Sequence, residues 1–271
     1  MIGTVWLDAG HYGLYNRSPA VPAYYESKRM WTLHLMLKEE LEARGIPVKL
    51  TRQEQERDLA LTTRGRMAKG GALLISLHSN AVGSYVNEKV DYPVAFVQLN
   101  NARSEQIGLW LAQAVENIMG TAQPARTATR AASGDRNGDG KQNDDYYGVL
   151  YGAAQVGVPA VILEHSFHTN TRATNWLLSD DNLRRLAKAE ANVIADWLGV
   201  ETDEKEEEPM TYEQFKVYMK QYEAEQAAKP ATWEGDVMAD AKAAGLINDG
   251  RPKSNITRGE MAQVLKNAGL C

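Results

Sequence analysis

The feature that most constrains this chain is a near-continuous apolar run at residues 72–77. Such a run is typical of a central parallel strand that is buried on both faces of a sheet. Two more short apolar runs occur at residues 5–7 and 159–163, and helical patterns lie between the three runs. Because strands that alternate with helices build parallel sheets, the sequence predicts an α/β fold.

A long amphipathic helix is predicted between the first two of these runs, from residue 25 onward. Met30, Leu33 and Leu37 recur at three- and four-residue spacing, and Gly45 ends the pattern. Glu26 therefore lies in the first turn of this helix. In that position a carboxylate can simply stabilise the helix dipole, or it can serve a functional site. Residues 104–119 and 183–198 show the same helical pattern.

Length and composition narrow the classes of protein. The 271 residues suffice for one large domain or for a domain with a small module, and the net charge of -5 predicts no general attraction to nucleic acid or to an anionic membrane. No apolar stretch approaches the roughly 18 residues that a membrane span needs. The single cysteine, Cys271, cannot form an internal disulfide or a cysteine-based zinc cluster. A metal would therefore be held by histidine, aspartate or glutamate.

The first two apolar runs each end in a histidine. His11 follows the first run in a turn that contains Gly10 and Gly13, and His78 follows the second run directly. Because the carboxyl ends of parallel strands meet at one edge of a sheet, we expect these histidines to lie close together and near Glu26. Two histidines and one glutamate suit a catalytic zinc with an open fourth position. We expect the two glycines to keep side chains clear of that open face.

The third run ends in Glu164 and is followed by His165 and His168. Spacing leaves open an alternative in which one of these histidines ligates the metal. They can also pack and form hydrogen bonds beside the strand end, or support an oxyanion or the metal ligands. Asn80 has two interpretations as well, because it can orient a substrate or cap the turn after residue 78.

A long polar segment spans residues 120–147 and can form a wall or lid of a substrate site. Within it, the sequence from Asp135 matches a calcium-binding loop at positions one, three, five and six. The match fails at position twelve, where Tyr146 stands instead of a bidentate carboxylate. The segment therefore fits a turn-rich loop, with a calcium site as the alternative.

Charge patterning divides the chain into three parts. Residues 201–209 hold six acidic residues and one lysine without apolar periodicity, which is typical of a solvated linker. We predict a catalytic domain at residues 1–199, an acidic linker at 200–211 and a small, mainly helical module at 212–271. A tethered module of this kind raises the local concentration of its companion at a surface.

Residues 3–198 resemble the zinc-dependent N-acetylmuramoyl-L-alanine amidases of the Amidase_3 type, in motif order and in spacing. The residues that carry the resemblance are Asp8-Ala-Gly-His11, Glu26, Leu50-Thr-Arg52, Ser76-Leu-His78-Ser-Asn80-Ala81 and Glu164-x-x-Phe167-x-x-Asn170. The family usually has proline at the position of Ala9 and glycine at that of Tyr12. These departures affect the turn and leave the predicted ligands in place.

The resemblance implies a role for each matched residue. His11, Glu26 and His78 correspond to the three zinc ligands, and Glu164 corresponds to the general base and acid. The family cleaves the amide between the lactyl group of N-acetylmuramic acid and L-alanine in peptidoglycan. It is built on a twisted, mixed sheet of about six strands flanked by helices. Asn80, His165 and His168 are weaker candidates for substrate contacts.

The C-terminal residues resemble, over a shorter pattern, the S-layer-homology-like end modules of phage lysins. The pattern consists of Trp233, the segment 241–247 and the segment 256–262, and it implies binding to a cell wall. A small helical packing or dimerisation module is the alternative. The chain enters its first predicted strand directly, so we expect no signal peptide and synthesis in the cytoplasm.

Together these features predict a phage endolysin that reaches the peptidoglycan of a Gram-positive host through membrane holes. Other functions stay open at this point: a bacterial autolysin of sporulation or mother-cell lysis, a zinc peptidase that cuts within the stem peptide, or a wall-binding protein without catalysis. The presence of Glu164 argues against the last of these, since binding alone needs no base at the metal.

Overall fold

The structure, a computed structural model, describes residues 2–200. The predicted linker from residue 201 onward and the predicted wall-binding module lie outside the described residues. Within residues 2–200, none of the helices combines the length and the apolar character that crossing a membrane requires.

The described chain forms six strands and six helices. The strands are β1 Val5–Ala9, β2 Val48–Leu50, β3 Leu73–Asn80, β4 Val94–Val97, β5 Arg126–Ala128 and β6 Ala160–Phe167. The helices are α1 Glu26–Ala43, α2 Leu61–Met67, α3 Ala102–Met119, α4 Gly148–Ala154, α5 Thr171–Leu178 and α6 Asp180–Leu198.

The strands form one mixed sheet in the order β2-β1-β3-β6-β4-β5. β1 pairs in parallel with β2 and β3, and β3 pairs in parallel with β6. β4 runs antiparallel to β6, and β5 runs parallel to β4. The mixed six-stranded sheet flanked by helices is confirmed. β5 and α5 are not among the predicted elements, because β5 has only three residues, one exposed and two half-exposed, and α5 has only eight residues.

Apolar side chains cover both faces of the sheet, as the continuous run at residues 72–77 predicts. Leu73, Ile75 and Leu77 belong to the larger core, which they share with apolar residues of α1, α3 and α6. Leu74 belongs to a smaller core that it shares with residues of α4 such as Leu150. Alternate residues of one strand therefore support two helical layers, as the two-residue period of a strand requires.

The sheet order brings the predicted site residues to one edge. β1, β3 and β6 are neighbours and run in the same direction, so their carboxyl ends lie side by side. In this register Ala9 pairs with Leu77, and His78 pairs with Glu164. The pairing of β3 with β6 shifts between His78 and Asn80. Such an irregularity re-aims side chains at the end of a strand.

Candidate functional site

Two histidines and one glutamate meet at this edge of the sheet. His11, Glu26 and His78 each present one nitrogen or oxygen atom, and these atoms all lie within 4.8 Å of one another. Glu26 Oε1 lies 2.8 Å from His78 Nδ1, and Glu26 Oε2 lies 3.4 Å from His11 Nε2. The Glu26 side chain is 2% exposed, whereas those of His11 and His78 are 30% and 19% exposed. The cluster is therefore open to solvent on its histidine side.

The turn after β1 places His11 by means of its backbone conformation. His11 has φ 59° and Gly13 has φ 52°, both in the left-handed region. A Cβ on Gly10 would lie 2.6 Å from His78 Nδ1, so only glycine leaves room for the His78 ring. A Cβ on Gly13 would meet nothing within 4 Å. Gly10 thus makes room for the ring of a predicted ligand, whereas the expectation concerned the open face of the metal, and Gly13 serves the conformation of the turn.

Glu26 is held as a carboxylate. Burial by itself raises the pKa of this carboxyl, but hydrogen bonds from His11 and His78 outweigh it and leave the pKa below its ordinary range. The backbone N–H of Ser79 donates to Oε1 over 3.1 Å, and the side-chain amide of Asn16 donates to Oε2 over 2.6 Å. α1 begins at Glu26, so its first turn delivers the carboxylate to the strand ends.

Asn16 is a site residue that the sequence did not indicate. Its amide nitrogen also lies 2.9 Å from His11 Nε2, so it contacts two members of the cluster. Its backbone has φ 53°, a conformation that asparagine adopts more readily than most residues. An asparagine in a loop is too common for this contact to be foreseen.

A buried ionic network holds the end of β1. The Asp8 carboxylate accepts hydrogen bonds from Ser76 Oγ over 2.7 Å and from Thr51 Oγ1, and Arg64 Nη1 lies 3.4 Å away. Arg52 Nη2 donates to the carbonyl oxygen of Ala9. These contacts secure the strand from which the His11 turn departs.

Glu164 lies on β6 opposite His78. The residue as a whole is half-buried, but its Oε2 atom is buried and has no hydrogen-bond partner within residues 2–200. Burial, together with the nearby charge of Glu26, raises the pKa of the Glu164 carboxyl well above its ordinary value. Buried polar atoms are seldom unpartnered, and such an atom with a perturbed pKa points to a functional group.

His165 is fully buried behind the site. Its Nδ1 donates to the carbonyl oxygen of His78 over 2.8 Å, and its Nε2 forms a hydrogen bond of 2.7 Å with Glu190 Oε1 of α6. Both side chains are 0% exposed. Since both ring nitrogens are occupied, this placement corresponds to packing and hydrogen bonding beside the strand end.

His168 and Asn80 also make contacts within the protein. His168 Nδ1 donates to the carbonyl oxygen of Ser79 over 2.7 Å and lies 3.9 Å from Glu26 Oε2, and burial lowers its pKa. Asn80 Oδ1 accepts a hydrogen bond of 2.8 Å from the backbone N–H of Ala81. His168 thus lies beside the cluster. Among the described residues, the group whose atoms converge closely enough to hold a metal consists of His11, Glu26 and His78.

The His165–Glu190 pair supports stability in a way that can be measured. We expect Glu190→Ala to lower the free energy of unfolding by about 3 kcal/mol, because the buried ring then loses its partner. Urea unfolding of Glu190→Ala measures this loss, and unfolding of His165→Leu, of Glu190→Leu and of the variant with both leucines measures the coupling. The double variant should recover much of the loss, and strictly additive losses would argue against coupling of the two side chains.

The polar segment that resembles a calcium loop is folded by its own side chains. The Asp135 carboxylate accepts hydrogen bonds from the backbone N–H groups of Gly138, Asp139 and Gly140. These bonds are those of a turn-rich loop.

Most of the described chain matches a known protein family. The Amidase_3 family, described as N-acetylmuramoyl-L-alanine amidase, matches residues 5–196. A search among curated proteins gave no match.

Solved structures share the fold at low sequence identity. The catalytic domain of CwlV, an N-acetylmuramoyl-L-alanine amidase from Bacillus (Paenibacillus) polymyxa var. colistinus, is 20% identical with a TM-score of 0.59, over 73% of this chain and 99% of that one. Cwp6 from Clostridium difficile is 21% identical with a TM-score of 0.60, over 72% of this chain and 29% of that one.

The CwlD amidase from Clostridioides difficile, solved in complex with the GerS lipoprotein, is 18% identical with a TM-score of 0.58, over 73% of this chain and 100% of that one. The likeness of these structures concerns the fold, while the family match extends over nearly all of the described residues. On this match, the chain belongs to the Amidase_3 family of N-acetylmuramoyl-L-alanine amidases.

Proposed function

We propose that this protein hydrolyses the amide between the lactyl group of N-acetylmuramic acid and L-alanine of the stem peptide, with zinc as its metal. The observation that carries the proposal is the convergence of His11, Glu26 and His78 next to the partly buried carboxyl of Glu164. The family match supports the same reaction.

The three converging residues fit zinc by their chemistry. Two imidazole nitrogens and one carboxylate oxygen within 4.8 Å of one another form a donor set of the kind found in catalytic zinc sites. The low pKa of Glu26 keeps its carboxyl group deprotonated, as a carboxylate ligand must be. The partial exposure of both histidines leaves one side accessible for substrate and water. When bound there, zinc lowers the pKa of water to about 7 and polarises a carbonyl group.

Glu164 is the proposed general base and acid. Its carboxylate takes a proton from the water that attacks the lactyl carbonyl carbon, and the carboxylic acid then gives this proton to the departing nitrogen of L-alanine. The carbon–nitrogen bond breaks, and water supplies the new carboxyl oxygen. The raised pKa of Glu164 makes its carboxylate a stronger base than an ordinary glutamate, which favours the first of these proton transfers.

Digestion of purified sacculi tests the reaction. We expect new amino termini on L-alanine, no new reducing sugars, and loss of activity on treatment with a zinc chelator. Cuts deeper in the peptide would favour a stem-peptide peptidase, and binding without any new termini would favour a wall-binding protein. Activity that resists the chelator would contradict the assignment of zinc.

Gly10 offers a test of the proposed ligand geometry. We expect Gly10→Ala to weaken zinc binding about tenfold, because the new methyl group displaces the His78 ring. A loss of this size is typical when a residue that positions a metal ligand is changed. Competition with a zinc-binding dye measures the affinity. Gly13→Ala is the matched control, since its methyl group meets nothing within 4 Å. It should cost stability through its positive φ while zinc affinity is retained, and an equal loss of affinity in both variants would refute the steric argument.

We infer further that the full chain is a phage endolysin that acts on a Gram-positive cell wall. The support is the resemblance of residues 233–262 to wall-binding end modules of phage lysins, and those residues lie outside the described part. The full chain, expressed inside a Gram-positive cell, should leave the culture intact until the membrane is permeabilised and then lyse it. Lysis without permeabilisation would point to an exported autolysin instead.

A further inference from the structure

Three apolar residues beside the proposed zinc ligands are exposed to solvent. Tyr12 is 37% exposed, Leu14 is 62% exposed and Tyr15 is 49% exposed. All three belong to the short segment between His11, a member of the cluster, and Asn16, which contacts the cluster. Large apolar side chains that are grouped at a polar site mark a surface that binds a ligand.

The rings form a continuous row that starts at the cluster. Tyr15 stacks on His11 with ring centroids 5.2 Å apart and an interplanar angle of 8°. Tyr12 lies next to Tyr15 with centroids 5.7 Å apart and an angle of 30°. We call His11, Tyr15 and Tyr12 the aromatic row. It leads from a proposed metal ligand to the surface.

Hydrogen bonds hold the backbone of this segment. The N–H of Tyr15 donates to Ser27 Oγ over 2.9 Å, and Ser27 Oγ donates to the carbonyl oxygen of Gly13 over 2.7 Å. The N–H of Gly13 donates to the carbonyl oxygen of Gln55, whose side-chain amide donates back to Gly13. The segment is therefore anchored to α1 and to the loop after β2. Anchored rings bind with less loss of conformational freedom than rings on a loose loop.

The segment carries no charged side chain, which favours contact with the sugars of the substrate over contact with its peptide. Residues 11–16 contain no aspartate, glutamate, lysine or arginine. A stem peptide carries free carboxylates and amines, which call for charged partners, whereas the sugars of the glycan strand are neutral once the lactyl carboxyl is in amide linkage. The flat faces of pyranose rings present C–H groups that pack on aromatic rings. The aromatic row therefore matches the glycan side of the cleaved bond.

We propose that Tyr12 and Tyr15 form a sugar-binding subsite that stacks a ring of the glycan strand and so directs the lactyl amide to the cluster. This proposal rests on the proposed amidase function. It also assigns a purpose to Tyr12, where the family usually has a glycine.

Two synthetic substrates with the same stem peptide separate the glycan contribution. One is a glycan tetrasaccharide that carries the peptide on its muramic acid, and the other is the D-lactyl peptide, which keeps the cleaved amide without any sugar. We expect Tyr12→Ala to lower kcat/KM on the tetrasaccharide substrate about fivefold more than on the lactyl peptide, mainly through KM. Tyr12→Phe keeps the ring and should restore the wild-type preference.

Trp110→Ala is the matched control, because Trp110 is a similarly exposed aromatic residue on α3, at 39%. It should leave the preference between the substrates unchanged. Calorimetry with the peptide-bearing tetrasaccharide and the Glu164→Gln variant provides a readout without catalysis, and adding Tyr12→Ala should weaken this binding.

Equal losses on the two substrates, or unchanged tetrasaccharide binding, would overturn the sugar subsite. If the wild type cleaves neither substrate, the amidase proposal itself fails. If the wild type cleaves both substrates and Tyr12→Ala does not change its preference between them, only the sugar subsite fails.

Discussion

Glu164→Gln is expected to reduce amide hydrolysis by a factor of about a thousand or more while zinc stays bound. Glutamine has nearly the shape of glutamate but cannot accept the proton of the attacking water, and the loss of a general acid and base typically costs about two to four orders of magnitude. The three proposed ligands are unchanged by the substitution. Release of L-alanyl peptides from sacculi measures turnover, and metal analysis after dialysis measures zinc content.

If the assignment is correct, Glu164→Gln loses turnover but keeps its zinc. Zinc loss from Glu164→Gln would make Glu164 a ligand, and turnover within a few-fold of wild type would remove it from the reaction. Since Glu164 Oε2 has no hydrogen-bond partner within the described chain, glutamine should cost little stability. An unchanged unfolding midpoint would show that loss of activity does not come from loss of the fold.

His78→Ala is expected to lose both zinc and turnover. Zinc affinity should fall more than about a hundredfold. Losing a residue that only supports a ligand costs roughly 10–100-fold, and losing a ligand should cost more. Glu26 also loses the hydrogen-bond partner at 2.8 Å that helps to keep its pKa low. Titration with zinc in the presence of a competing chelator measures the affinity, and sacculus digestion measures turnover.

His168→Ala is the comparison for this variant, because His168 is one of the two alternative ligands that spacing left open and its Nδ1 lies 3.9 Å from Glu26 Oε2. We expect His168→Ala to retain zinc. If His78→Ala kept its zinc and His168→Ala released it, the ligand set would have to be assigned again with His168 in place of His78.

The sequence was informative wherever a local pattern carried the signal. The apolar run at residues 72–77 predicted β3, and the helical spacing of Met30 and Leu37 predicted α1. The strand ends at His78 and Glu164 could be located because apolar residues give way to polar ones. Because parallel strands end at the same edge of a sheet, these residues were expected to meet there. The pairing of His78 with Glu164 agrees with this expectation.

Other features depended on contacts that no local pattern encodes. β4 runs antiparallel to β6 and carries β5 at the edge, which makes the sheet mixed rather than parallel. The direction of a strand depends on the path of its connections, and a polar segment such as residues 120–147 gives little information about that path. The resemblance to a known family, rather than periodicity, indicated the mixed sheet.

Local patterns in the sequence therefore predict the three neighbouring strands β1, β3 and β6 and show which strand ends carry histidine and glutamate, because hydrophobic periodicity and strand ends are properties of neighbouring residues. The tertiary structure alone decided that Asn16 contacts Glu26, that Glu190 pairs with His165, and that the rings of Tyr12 and Tyr15 continue the line of His11. These contacts join separate elements or depend on a left-handed turn. They are settled by strand order, register and backbone conformation, which follow from the packing of the whole domain.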